Sequence, residues 1–185
     1  VQASNLSIDD AALLGRLAAG DQRAFDPLYA RHQARLYRYA WRMSGSPEVA
    51  EDIVQEVFLA LIRGARAFDP ARGSLGGYLF GTARHLLCRH WGLDGAEEDL
   101  DENTATPESD PLEGLAQAER VERLRAALAT LPAAYREAIV LCEMEELDYA
   151  EVAMLLDIPV GTVRSRLHRG RALLARRLNG ERCRI

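Results

Sequence analysis

Apolar residues recur at intervals of three and four through most of the chain, and nowhere does period-two alternation last long enough to propose a strand. Residues 8–19 place Ile8, Ala11, Leu14, Leu17 and Ala18 in helical register before Gly20-Asp21 stops the run. Over residues 23–43, Phe25, Leu28, Tyr29, His32, Leu36, Tyr39 and Ala40 lie on or near one buried stripe. Ser46 suits an N-cap and Pro47 a first helical position, so a helix is expected over 47–65. Its apolar stripe is Ala50, Ile53, Val54, Val57, Phe58, Leu61 and Ile62. Residues 68–74 read as a loop, after which 76–91 resume a helical period through Leu79, Ala83, Leu86 and Leu87. The pair Gly76-Gly77 weakens the start of that helix by about 1 kcal/mol per glycine relative to alanine.

The pattern then lapses. Residues 92–114 are acidic, hold two prolines and lack periodicity, as a mobile tether does. Val121, Leu124, Leu128 and Leu131 mark a further helix, Pro132 ends it, and another is expected over 133–146. Asp148 can N-cap a short helix, and Glu151 three residues on completes a capping-box pattern. Val152, Leu155 and Leu156 supply its apolar side, and the small Ala153 lets a neighbouring helix cross closely. Residues 157–161 break it, because Pro159 lacks an N–H and disfavours a helical residue before it. Val163, Leu167 and Leu174 line one face of a second short helix, leaving Thr162, Arg164, Ser165, Arg166, His168 and Arg169 on the others. This is a helix-turn-helix whose second helix is built to enter a DNA major groove. A guanidinium there can bond guanine O6 and N7 together, and further arginines can neutralise phosphates. The expected architecture is all-α: two small helical domains, 5–92 and 115–180, joined by an acidic flexible linker over 93–114, the second domain containing the helix-turn-helix.

A net charge of −5 argues against a DNA partner until its distribution is read. Residues 92–119 hold ten acids and no Arg or Lys, whereas from residue 160 onward eight arginines face the single acid Glu181. Local charge, not the sum, selects the partner. Cys88, Cys142 and Cys183 form no CxxC pair, so neither a disulfide framework nor a zinc ribbon is indicated. His85 and Cys88 share a helix, but two ligands do not make a tetrahedral site, and no metal or cofactor is expected. His32, His85, His90 and His168 are dispersed, without a Ser/His/Asp or HExxH arrangement, which points away from an enzyme. No run of about 18 apolar residues and no basic-then-apolar leader pattern appears, so the expectation is a cytoplasmic protein without direct membrane insertion.

Three stretches carry a family likeness: Leu17-Ala-Ala-Gly-Asp-Gln-Arg-Ala-Phe25, Ala50-Glu-Asp-Ile-Val-Gln-Glu-Val-Phe-Leu59 and Ile158-Pro-Val-Gly-Thr-Val-Arg-Ser-Arg-Leu-His-Arg-Gly-Arg171. In these, and in their order and spacing, the chain resembles the extracytoplasmic-function (ECF) group of bacterial sigma-70 factors over nearly its whole length. The resemblance implies a promoter-specificity subunit of RNA polymerase. Its first domain would dock on the clamp helices of the largest subunit and open the −10 element. Its second would hold the −35 element while sitting on the flap of the second-largest subunit. Asp52, Gln55 and Glu56 fall in the family's clamp-binding segment, an acidic and amide surface for a basic partner. Arg164, Ser165, His168 and Arg169 fall on base-reading positions, while Arg166 and Arg171 are candidates for phosphate contact or simple solvation.

On the −10 side, Arg72 and Ser74 lie in the loop where the family captures a flipped-out base, and Tyr78, Arg84 and His85 follow on the helix that would meet the melted strand. Tyr78 and Phe80 suit either base stacking or the core. Where the family carries an aromatic-Leu-aromatic-Arg-Ile-Ala-Arg-Asn run, this chain reads Tyr78-Leu-Phe-Gly-Thr-Ala-Arg-His85, so no −10 sequence is carried over. The resemblance also implies an anti-sigma protein that wraps or wedges between the domains, able to hold the factor at the inner membrane. The competing reading is a stand-alone dimeric helix-turn-helix regulator. Neither the acidic tether nor residues 50–59 would be needed for that.

Overall fold

A computed structural model describes residues 3–65, 68–69, 73–92 and 116–180. Among these residues the regular structure is helical, and the chain divides into two compact units. The first takes residues 1–95 with Met154–Leu156, the second the remainder of 96–185. The linker expected at 93–114 lies outside the described residues, as does Arg72.

In the first unit α1 (Ala3–Ala18) leads through a 3-10 turn (Gln22–Ala24) into α2 (Phe25–Ser44), then α3 (Pro47–Gly64) and α4 (Leu75–His90). Helices α2, α3 and α4 pack on one another, and α1 lies against α2 and the 3-10 turn. Short polar side chains set the helix ends. Ser46 Oγ accepts the Val49 N–H at 3.2 Å ahead of Pro47. Gly45, at φ +75°, closes α2 with its N–H on the Trp41 carbonyl at 2.8 Å. Ser74 Oγ accepts the Gly77 N–H at 2.9 Å, so α4 begins at Leu75 despite its two early glycines.

The core of this unit is built from Leu28, Leu36, Tyr39, Val57, Leu61, Leu79, Phe80 and Leu87. Phe80 meets Tyr39 edge-on at 5.3 Å and lies under Arg35, which settles it as a core ring. Two expected stripe residues face outward. Ile62 is 48 % exposed, being at the edge of its stripe, and Tyr29 is 40 % exposed because its ring covers Phe58 from outside at 4.7 Å. From residue 10 onward the buried positions of α1 are Asp10, Leu13 and Leu14, with Leu17 only half-buried. Asp10 faces α2, where His32 Nε2 lies 2.7 Å from Oδ2 and Arg31 Nη1 donates to Oδ1 at 2.7 Å. Burial pushes the Asp10 carboxyl up, but the hydrogen bonds and charges of His32 and Arg31 outweigh it and hold the group below its ordinary value.

The second unit contains α5 (Ala116–Ala129), α6 (Ala133–Ile139) with a π-helical turn (Val140–Met144), α7 (Tyr149–Leu156) apart from its last three residues, and α8 (Val160–Gly180). The helix expected over 133–146 thus changes pitch at Val140, and the Glu145 N–H bonds back five residues to the Val140 carbonyl at 2.9 Å. Leu128, Leu131, Ile139 and Leu167 form a core, with Leu124, Cys142, Met144, Leu173 and Leu174 packed round it. Val121, expected on the inner face of α5, is 58 % exposed, one turn before that core begins. Arg136 Nη2 donates to the Ala129 and Leu131 carbonyls at 2.6 and 3.0 Å, satisfying acceptors left at the end of α5. Burial, then the charge of Glu143, pushes the Cys142 thiol up to about 11, so it stays protonated and inert at neutral pH.

Gly170 sets how closely α8 approaches α6. A Cβ there would stand 3.0 Å from Ile139 Cδ1 and 3.2 Å from the Tyr135 carbonyl oxygen. The second of these is backbone and cannot swing away.

Candidate nucleic-acid and polymerase interfaces

Helices α7 and α8 form the expected helix-turn-helix. Asp148 Oδ1 accepts the Glu151 N–H at 2.7 Å, the N-cap bond of the capping-box pattern. Asp157 ends α7 at φ +54°, and the Ile158 N–H reaches back to the Ala153 carbonyl at 3.0 Å. Aspartate is one of the few side chains that tolerates that left-handed conformation. The break is shorter than the 157–161 expected. The Pro159 carbonyl accepts the Thr162 and Val163 N–H groups at 2.8 and 3.2 Å, so α8 already starts at Val160. Nor is α8 short. It runs 21 residues, because the strong helix formers Ala172, Leu173, Leu174 and Ala175 follow without a breaker.

Val163, Leu167 and Gly170 turn inward, and Arg164, Ser165, His168 and Arg169 are exposed. Helical periodicity sets Arg166 and Arg171 on opposite shoulders of that face, Arg166 half-buried and Arg171 exposed. Ser165 Oγ donates to the Thr162 carbonyl at 3.0 Å, which fixes its hydroxyl. The Arg164 guanidinium lies over the Tyr149 ring, 5.9 Å from its centroid. Arg171 Nε donates to the Glu143 carboxylate, a bond that with Glu143's charge raises the guanidinium pKa. Along α8 stand six arginines and no acid, so the face is locally positive in a chain of negative net charge.

On α3, Asp52, Gln55 and Glu56 are exposed together on the side opposite Ile53, Val54 and Val57. Glu48, one turn earlier, accepts the Ser46 hydroxyl at 2.7 Å, which lowers its pKa. Beside this face a groove of about 570 Å³ runs between α2 and α3, lined by Phe25, Tyr29, Tyr37, Gln55, Phe58 and Ile62 among others. Of its rings, Phe25 and Tyr29 were expected on or near the buried stripe of α2, and Tyr29 is exposed.

On α4, Ser74, Tyr78 and His85 share one stripe, with Ser74 at its head. Tyr78 is 38 % exposed and rests edge-on against Phe68 at 5.6 Å. Arg84 is half-buried and lies round the helix from this stripe. Thr82 and Arg89 complete the stripe and were missed in the sequence, although they stand four and eleven residues from Tyr78.

Residues 28–92 match the family described as Sigma-70 region 2, and residues 121–174 that described as Sigma-70, region 4. The ECF RNA polymerase sigma factor SigM of Mycobacterium tuberculosis is 35 % identical over 178 residues, covering 91 % of this chain and 84 % of that protein. The chain belongs to the ECF group of sigma-70 factors. A second relative is the ECF RNA polymerase sigma factor SigE of Mycolicibacterium smegmatis, 38 % identical over 168 residues and 85 % of this chain. This sigma factor spans only 63 % of that relative's length. Among solved structures it is similar to CnrH, determined in complex with the cytosolic domain of CnrY, with a TM-score of 0.72, 26 % identity, and coverage of 93 % of this chain and 98 % of CnrH.

The acidic face of α3 and the α4 stripe from Ser74 onward therefore fall within region 2, and the arginines from Arg164 to Arg171 within region 4. No helix among the described residues is long and apolar enough to cross a membrane.

Proposed function

We propose that this sigma factor binds RNA polymerase core through Asp52, Gln55 and Glu56 on α3 and directs initiation at promoters whose −35 element is read by α8. The observation that carries this reading is the presence of two surfaces of opposite charge on one chain, an exposed acid-and-amide face on α3 and an exposed arginine face on α8. A self-sufficient DNA binder needs only the second. Residues 5–92 form the polymerase-binding and −10 domain, 93–114 the linker and 115–180 the −35 domain. Arg164, Ser165, His168 and Arg169 reach base edges, while Arg166 and Arg171 flank them towards the phosphates. On the −10 side, Tyr78 stacks on an unpaired base, Ser74 and His85 offer hydrogen bonds along the same stripe, and Arg72 and Arg84 attract backbone phosphates.

The chain itself performs no catalysis; the nucleotidyl transfer belongs to the polymerase, whose clamp helices and flap are the two docking points. CnrH was solved with a protein partner, and an anti-sigma factor that masks the polymerase-binding faces is the matching partner here. The factor acts in the cytoplasm, and at the inner membrane where that partner is itself membrane-bound. The test is gel filtration with purified core polymerase. The full chain co-elutes with core, and the double variant Asp52→Ala/Glu56→Ala binds it about tenfold or more weakly with an unchanged circular dichroism spectrum. Failure to bind core, together with tight binding of a palindromic duplex as a dimer, would replace this reading with the stand-alone regulator.

A further inference from the structure

We infer that Tyr149, the first residue of α7, is a positioning residue for Arg164 and so a determinant of −35 specificity; this rests on the base-reading role proposed for Arg164. The ring is 37 % exposed, at the mouth of the helix-turn-helix rather than in its core. Arg164 lies over it from the first turns of α8, 5.9 Å from its centroid. The Tyr149 hydroxyl also adds to the influence of Glu143 in raising the Arg171 guanidinium pKa. One aromatic side chain thus touches the environment of two arginines, one on the reading face and one on its shoulder.

The manner of holding matters. An exposed arginine is long and rotamer-rich, and fixing it against a base edge loses that freedom. A carboxylate would fix it too, but by occupying N–H donors, as Glu143 does with Arg171 Nε. An aromatic face holds the guanidinium by its plane instead. The donors round its edge stay available for guanine O6 and N7. Asp148 caps α7 one residue earlier, so the ring is anchored at a fixed helix end rather than on a loose loop.

The experiment is run-off transcription by reconstituted holoenzyme from promoter variants in which each −35 base pair is changed in turn. Arg164→Ala removes discrimination at one base pair. Tyr149→Leu lowers discrimination at that same base pair about two- to fivefold, the size expected of an exposed cation–π contact, and leaves the other positions as they were. Tyr149→Phe, which keeps the ring, stays within about twofold of the parent. A purely structural role would instead weaken transcription from every variant alike, in step with melting temperatures taken on the same preparations. Tyr149→Leu that discriminates as the parent does where Arg164→Ala fails, or that loses activity uniformly, overturns the inference. Arg164→Ala with unchanged discrimination everywhere overturns the base-reading role itself, and the inference with it.

Discussion

The exposed faces of α8 and α4 are both offered to promoter DNA in the proposed function, yet they are built from different materials. The α8 face is dense in arginine, with Arg164 over the Tyr149 ring, Arg171 paired with Glu143, and the helix seated closely on α6 at Gly170. The α4 stripe carries Tyr78, Thr82, His85 and Arg89, with one exposed ring braced edge-on by Phe68. Reading an intact duplex calls for charge and oriented donors, since phosphates supply the affinity and groove edges the sequence. Holding a strand whose bases have left the stack calls for π faces more than charge. Charge density alone would have found the first surface and passed over the second.

The largest effects concern how each helix is seated. Phe80→Ala should cost the first unit about 3–5 kcal/mol in urea unfolding, since the ring is core and leaves a cavity. Gly170→Val should cost the second about 1–3 kcal/mol through overpacking against the Tyr135 carbonyl. A loss under about 1 kcal/mol for Phe80→Ala would mean the ring is dispensable to the core and free to serve the α4 surface.

The contrast in DNA contacts comes next. Arg164→Ala should cost about 1–3 kcal/mol at a single −35 base pair, read as the ratio of run-off transcripts from matched and altered promoters. Tyr78→Ala should lose about 1–3 kcal/mol in binding of a promoter with a pre-melted −10 segment, largely restored by Tyr78→Phe and indifferent to the −35 sequence. If Tyr78→Ala changed −35 preference instead, the division of labour between the two faces would be wrong.

A further effect concerns the anchor of α1. Asp10 has a folded pKa below its ordinary value of 3.8, so its contribution is present above that pH and is lost as pH falls through the lower folded value. Asp10→Asn should remove about 2 kcal/mol from the first unit at pH 7, and the difference from the parent should shrink in acid. A difference that stays constant down to the acid transition would contradict this. The smallest effect lies at the head of α4. Gly76 has an ordinary backbone conformation and a Cβ there would make only a normal 3.7 Å contact with Ser74 Oγ. Gly76→Ala should therefore raise stability by about 0.5–1 kcal/mol, seen as a higher urea midpoint.

How much was legible in the sequence follows the same division. The helix starts at Pro47 and Tyr149 were readable because Ser46 and Asp148 cap through local, sequence-adjacent bonds. The inward face of α8 was readable because Val163 and Leu167 keep helical spacing. What escaped was set by neighbours far along the chain. Asp10 reads as a polar surface residue until His32 and Arg31, more than twenty residues on, enclose it. Gly170 reads as a weak helix position until Ile139 and Tyr135 are brought against it. Glu143 and Tyr149 have no sequence signal linking them to Arg171 and Arg164, because a π-helical turn and the turn between α7 and α8 create those contacts. Ile62 and Val121 obey the apolar period yet face outward, since periodicity marks a stripe and not where the covering helices stop.

The central claim is that one chain joins a polymerase-binding face on α3 to a promoter-reading face on α8. Its most direct test is run-off transcription with purified core polymerase, the full chain and a fragmented library of genomic promoters. Transcripts that depend on the factor are expected, with aligned −35 and −10 elements upstream of their starts, and they are lost with Asp52→Ala/Glu56→Ala. Factor-independent transcription alone, from a chain that still binds duplex DNA with sequence preference, would contradict it.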